Sequence, residues 1–238
     1  MNPVSERGAV LTVTLLALAL MAALGAALIL ASSSETMIAA NFRRAAEARY
    51  AAEAGLERAI GELVVLPLWT DIPGGAMLSS FVDGPPSGVR RLPDGTRLDL
   101  AEIRHLANCQ RRTACSTTEL DRRTPDRPWG SLNPRWQLFG YGPLPLLTSG
   151  QEATSPLYVV MLVSDDQSEN DGDPDRDGVM VSAAPNPGRQ RLLVRAEAFG
   201  IRGVHAVVDA TIARIDTAAT ASVPAWSEVR ILAQREGS

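Results

Sequence analysis

The sequence predicts an α+β protein: a long N-terminal helix with a membrane-spanning first half, packed on a C-terminal antiparallel β-sheet. Three observations carry that prediction. Residues 9–31 contain no charge, residues 35–65 contain no proline and repeat apolar residues at helical spacing, and three strand patterns follow after residue 156. The boundaries expected are 9–66 for the helix and 67–238 for an exported domain, behind a polar leader at 1–8.

The uncharged stretch is long enough, at 1.5 Å per residue, for a helix of ~35 Å, which crosses a hydrocarbon core of ~30 Å. Arg7 at its N-terminal flank orients the helix with its start in the cytoplasm, so the bulk of the chain lies outside. A secretory signal is the competing reading, but the apolar run is long for one and the helical pattern continues past it. Ile38, Phe42, Ala45, Ala52, Leu56, Ala59 and Leu63 recur on one stripe, with Arg49 interrupting it. Pro67 is the first firm stop.

Residues 67–90 are rich in proline and glycine and read as a loop. Residues 89–100 read as a hairpin around Pro93-Asp94-Gly95. No long element is expected across 101–155, apart from a short strand at 136–141. Residues 157–163 are a continuous apolar run. Leu192, Val194, Ala196 and Ala198 alternate with Arg195 and Glu197; Val208, Ala210 and Ile212 alternate with Asp209 and Thr211. Residues 199–203 join the latter two strands as a hairpin, and residues 228–234 read as a last strand.

A net charge of −4 disfavours a general nucleic-acid binder. The chain has 2 cysteines and 2 histidines, too few for a finger-type zinc site without carboxylates. All 23 basic residues are arginine, so a phosphate-binding loop that needs lysine is excluded. His105 and His205 stand beside no nucleophile motif, and no enzyme is expected. Cys109 and Cys115, close together in an exported domain, are expected to pair as a structural disulfide.

Residues 165–177 hold seven carboxylates in thirteen residues. Asp173, Asp175, Asp177 and Gly178 match the first half of a D-x-D-x-D-G loop, in which alternate carboxylates converge on Ca²⁺. Asp171 is a further candidate ligand. Ala184 stands where such a loop would end on glutamate, so binding is expected to be weak, and a solvated acidic loop is the alternative.

Arg7-Gly8 before an apolar run resembles a prepilin leader, cut after the glycine. Glu35-Thr36-Met37-Ile38-Ala39-Ala40-Asn41, followed by Ala51-Ala52-Glu53-Ala54-Gly55-Leu56, resembles the N-terminal region of PilX-type minor pilins over residues 5–60. The resemblance implies cleavage between Gly8 and Ala9, methylation of the new N-terminus, and insertion in a bacterial inner membrane before assembly into a type IV pilus or a related pseudopilus. It also implies partners: a prepilin peptidase, other minor and major pilins, and the assembly platform. Major pilins have glutamate at the fifth position after the cut, where this chain has Val13. That glutamate pairs with the terminal ammonium of a neighbouring subunit. A subunit with none ahead of it gains nothing from a carboxylate that is costly in an apolar core, so the resemblance implies a place at the filament tip, priming or capping it. The competing class is a single-span, membrane-anchored periplasmic module that binds through its acidic loop.

Overall fold

The computed structural model describes residues 4–66, 69–147, 155–167, 174–175, 191–213 and 229–232, with backbone alone for 4–8 and 229–232. It divides into two compact units, Met1–Arg44 and Ala45–Ser238. Helix α1 (Val4–Val64) runs without interruption from one into the other. Its end agrees with the expected stop before Pro67, and it starts earlier than the apolar stretch, inside the polar segment 1–8.

In the first unit the helix is exposed at most positions from Ala9 to Phe42. Leu16, Leu20, Leu28, Ile38 and Phe42 are all more than half exposed. Ile38 and Phe42 therefore leave the stripe that the spacing drew through them.

The second unit is built on a five-stranded antiparallel sheet in the order β3-β4-β5-β6-β7. Its strands are β3 (Gln137–Pro143), β4 (Tyr158–Asp165), β5 (Arg191–Phe199), β6 (His205–Ala213) and β7 (Val229–Leu232). β1 (Val89–Arg91) and β2 (Arg97–Asp99) form the expected hairpin. The segment 79–83 lies beside β3: Ser79 donates its N–H to the Phe139 carbonyl, and Val82 forms a parallel bridge with Tyr141.

Alternation along β4 explains its apolar run. Val159, Met161 and Val163 face α1, whereas Tyr158, Val160 and Leu162 face a second layer, so every position of the strand is buried. That second layer is made by Leu92 and Leu98 of the hairpin region, Trp136, and helix α2 (Leu100–Cys109) through Leu100 and Ile103.

Helix α2 is the main departure from the sequence reading, which expected no long element there. Its signals are present: Asp99 caps the first turn by accepting from the N–H groups of Ala101 and Glu102, and Leu100, Ile103 and Ala107 share a face. The alternation Leu98-Asp99-Leu100 continues the hairpin pattern across the boundary and hides them. A short helix α3 (Thr117–Leu120) follows, opened by a Ser116/Glu119 capping box.

Candidate functional site

The long helix carries the sequence-predicted features in order. Val4–Val64 includes Gly8 and Ala9, so the expected cleavage point lies within helical backbone. From Ala9 onward the helix is long and apolar enough to cross a membrane, and none of that apolar window is buried by the rest of the chain. Val13 is 64% exposed. The hydroxyl of Thr14 donates to the Leu11 carbonyl at 2.8 Å, so this polar side chain needs no water. Ser34 and Thr36 make the same backward bonds, to Ala31 and Ser32. No acid occurs between Gly8 and Glu35.

The second half of α1 is different in kind. Ala48, Ala51, Ala52, Gly55, Leu56, Ala59, Ile60 and Leu63 are buried on one face. Small residues dominate because the sheet comes close: a Cβ on Gly55 would lie 2.5 Å from Val159 Cγ1. Ala51, Ala52, Gly55 and Leu56 are thus the positions of the Ala-Ala-Glu-Ala-Gly-Leu element that dock the helix, while Ala54 points outward. Met37 and Asn41, of the preceding element, remain exposed, and Asn41 accepts from Arg44 at 3.2 Å.

Residues 7–57 match the PilX N-terminal family. The chain carries a PilX-type pilin N-terminus. The PilX match ends within the docked half of the helix, and residues 58–238 lie beyond it. The similarity is therefore to the N-terminal segment of type IV pilus minor pilins. No curated protein and no solved structure gives a significant match.

Beyond the PilX segment, Glu62 fastens the helix end to the strand-like segment. Its carboxylate accepts from the Ser80 hydroxyl at 2.6 Å and from the Ser80 N–H at 3.2 Å, and pairs with Arg58 at 2.8 Å. Burial raises the Glu62 pKa, but the bonds from Ser79 and Ser80 with the Arg58 charge outweigh it and hold the group below its usual value. The Trp69 indole donates to the Leu63 carbonyl at 2.8 Å and closes the turn after the helix.

Cys109 and Cys115 form a disulfide that ties the end of α2 to the loop before α3. Of the four candidate calcium ligands, Asp171, Asp173 and Asp177 lie outside the described residues. Asp175 is described, and its carboxylate accepts from Arg135 at 2.8 Å. Among the described residues no group of three or more His, Cys, Asp or Glu is placed to hold a metal.

The polar side of the sheet was legible as polar but not as buried. Arg195 makes two 2.7 Å bonds to the Asp209 carboxylate and sits 4.5 Å from the Trp136 ring centroid. Burial opposes its charge, yet the Asp209 and Glu197 carboxylates outweigh that and raise its pKa. His205 meets Glu197 at 2.9 Å and stacks on Phe199. Tyr158 reaches Asp83, and burial followed by that carboxylate pushes its phenol well above the usual range. The cross-strand register Arg195↔Asp209 was the signal that could have found the first pair.

Proposed function

We propose that the chain is a minor pilin made as a precursor, cut between Gly8 and Ala9, and held in the bacterial inner membrane by residues 9–31 until it enters a type IV pilus or related pseudopilus. The observation that carries this reading is one helix with two chemistries. Its unburied apolar part falls inside the PilX match, and its docked part carries a folded domain. An apolar helix that no described residue of its own chain buries needs lipid or the helices of other subunits. The partners are then a prepilin peptidase, other minor and major pilins, and the assembly platform. The role is that of a building block rather than an enzyme, as in the family generally.

Val13 supports a place at the filament tip, priming or capping assembly. A carboxylate at that position is useful only where a neighbour's terminal ammonium arrives to neutralise it, and this helix offers none.

Mass spectrometry of the native protein tests processing. A chain beginning at N-methylated Ala9 is expected, and Gly8→Leu is expected to leave the leader attached and the subunit out of filaments. An intact N-terminus on the wild-type protein refutes the reading. Immunogold labelling tests position: labels at filament ends support the tip role, and labels along wild-type shafts overturn it.

A further inference from the structure

The loop between α3 and β3, residues 121–136, is held rigid by buried polar side chains. Asn133 is 1% exposed; its side chain accepts from the Trp129 N–H at 3.1 Å and donates to the carbonyls of Leu120 and Arg122, both at 3.0 Å. Arg127 donates to the carbonyls of Leu120 and Pro134, and Thr124 and Arg127 close a turn by exchanging backbone bonds. Gly130, at φ 70°, lets the chain reverse after Trp129, and Arg123 packs against it.

What this scaffold presents is a pair of arginines on the same loop as a tryptophan. Arg111, Arg112 and Arg135 each have a carboxylate partner. Arg122 and Arg123 are exposed, and among the described residues neither has one. Trp129 is 38% exposed on the same loop. Tryptophan and arginine on a pre-ordered surface are the residue types that dominate protein interfaces, because little further entropy is lost on docking.

We propose that this loop docks an acidic segment of a neighbouring pilin, with Arg122 and Arg123 meeting carboxylates and the Trp129 indole covering an apolar spot between them. The inference rests on the minor-pilin reading and names a contact surface for it. A nucleic-acid strand fits less well: two arginines between Asp121 and Asp126, on a chain of net charge −4, make no continuous positive track for phosphates.

A photo-crosslinking amino acid placed at the exposed Ser131 of the full-length chain, in cells assembling filaments, tests it. The expected product is a crosslink to another pilin at a peptide containing Asp or Glu. The pair Arg122→Glu/Arg123→Glu is expected to cut the yield on the order of tenfold, as loss of about 1.4 kcal/mol of docking free energy would. Trp129→Ala is expected to lower it as well. An unchanged denaturant unfolding midpoint in the variants shows that they fold. An unchanged yield in the charge-reversed chain, a crosslink to nucleic acid, or no intermolecular product from a processed, filament-borne subunit overturns this inference alone. A chain never cut or assembled overturns the pilin reading and the inference with it.

Discussion

The two halves of α1 share one backbone and obey different rules. Along residues 9–44 the helix is apolar first and polar later, and its large apolar side chains are exposed among the described residues. Along residues 48–63 it meets the sheet through alanines, a glycine and a few large residues. Gly25 and Gly55 show the contrast at single positions. A Cβ at Gly25 would meet nothing within 4 Å, whereas at Gly55 it would run into Val159. The first half keeps its surface for an environment outside the chain; the second spends its surface on the chain's own fold.

Tryptophan fluorescence separates the halves, because all 4 tryptophans follow residue 66 and Trp69 and Trp136 are buried in the folded unit. The largest expected effect is from Leu56→Ala. It removes a side chain 3% exposed in the core and should cost about 2–5 kcal/mol in denaturant unfolding of the full chain in detergent. Leu16→Ala, from a residue 65% exposed, should leave that transition in place. Equal losses at both positions would erase the distinction between the halves.

The glycine pair should give a smaller difference. Alanine for glycine inside a helix gains up to about 1 kcal/mol, but overpacking against Val159 costs about 1–3 kcal/mol. Gly55→Ala should therefore destabilise the folded unit by about 1–2 kcal/mol, while Gly25→Ala leaves its midpoint unchanged. A stabilised Gly55→Ala would mean that the sheet and helix separate more easily than their contact implies.

The pH dependence sharpens the docked half further. Glu62 has a lowered pKa in the folded protein. Its contribution is fully present above the unfolded glutamate pKa, about 4.3, and is lost as pH falls through the lower folded value. Glu62→Gln should lower stability at pH 7 and flatten its decline over the acid range, as read from midpoints between pH 7 and pH 3. An unchanged acid decline would show that other carboxylates govern it.

The smallest effect is expected at the acidic loop. Calcium at a concentration near its Kd stabilises by about 0.4 kcal/mol, a rise of about 1–2 °C in melting midpoint. Asp175 already has Arg135 as a cationic partner, which a metal must displace or share. An equal rise with magnesium would reduce the calcium expectation to charge screening.

Much of this architecture was legible because its signals are local. The uncharged stretch, the Pro93-Asp94-Gly95 hairpin and the alternating strands announce themselves within a few residues. The second layer was not legible, because it depends on what long-range packing does to polar residues. Arg195 and Glu197 read only as the polar face of a strand, but Trp136 covers Arg195, Asp209 pairs with it, and His205 hydrogen-bonds Glu197. Ile38 and Phe42 fit the helical stripe as well as Leu56 does, and periodicity cannot tell a residue docked on its own domain from one left outward. At the candidate site, the leader junction and Val13 came from resemblance, whereas the packing role of Gly55 needed the position of Val159.

The segment 79–83 has a consequence for how copies of the folded unit behave when crowded. By pairing with β3 it closes one margin of the five-stranded sheet. Growth of a cross-β fibre needs two open margins per molecule, one to accept a strand and one to offer it. A strand approaching β3 from outside must first displace 79–83 and break its bonds to Phe139 and Tyr141. Pairing of one domain with another through β3 therefore carries the cost of undoing part of the fold.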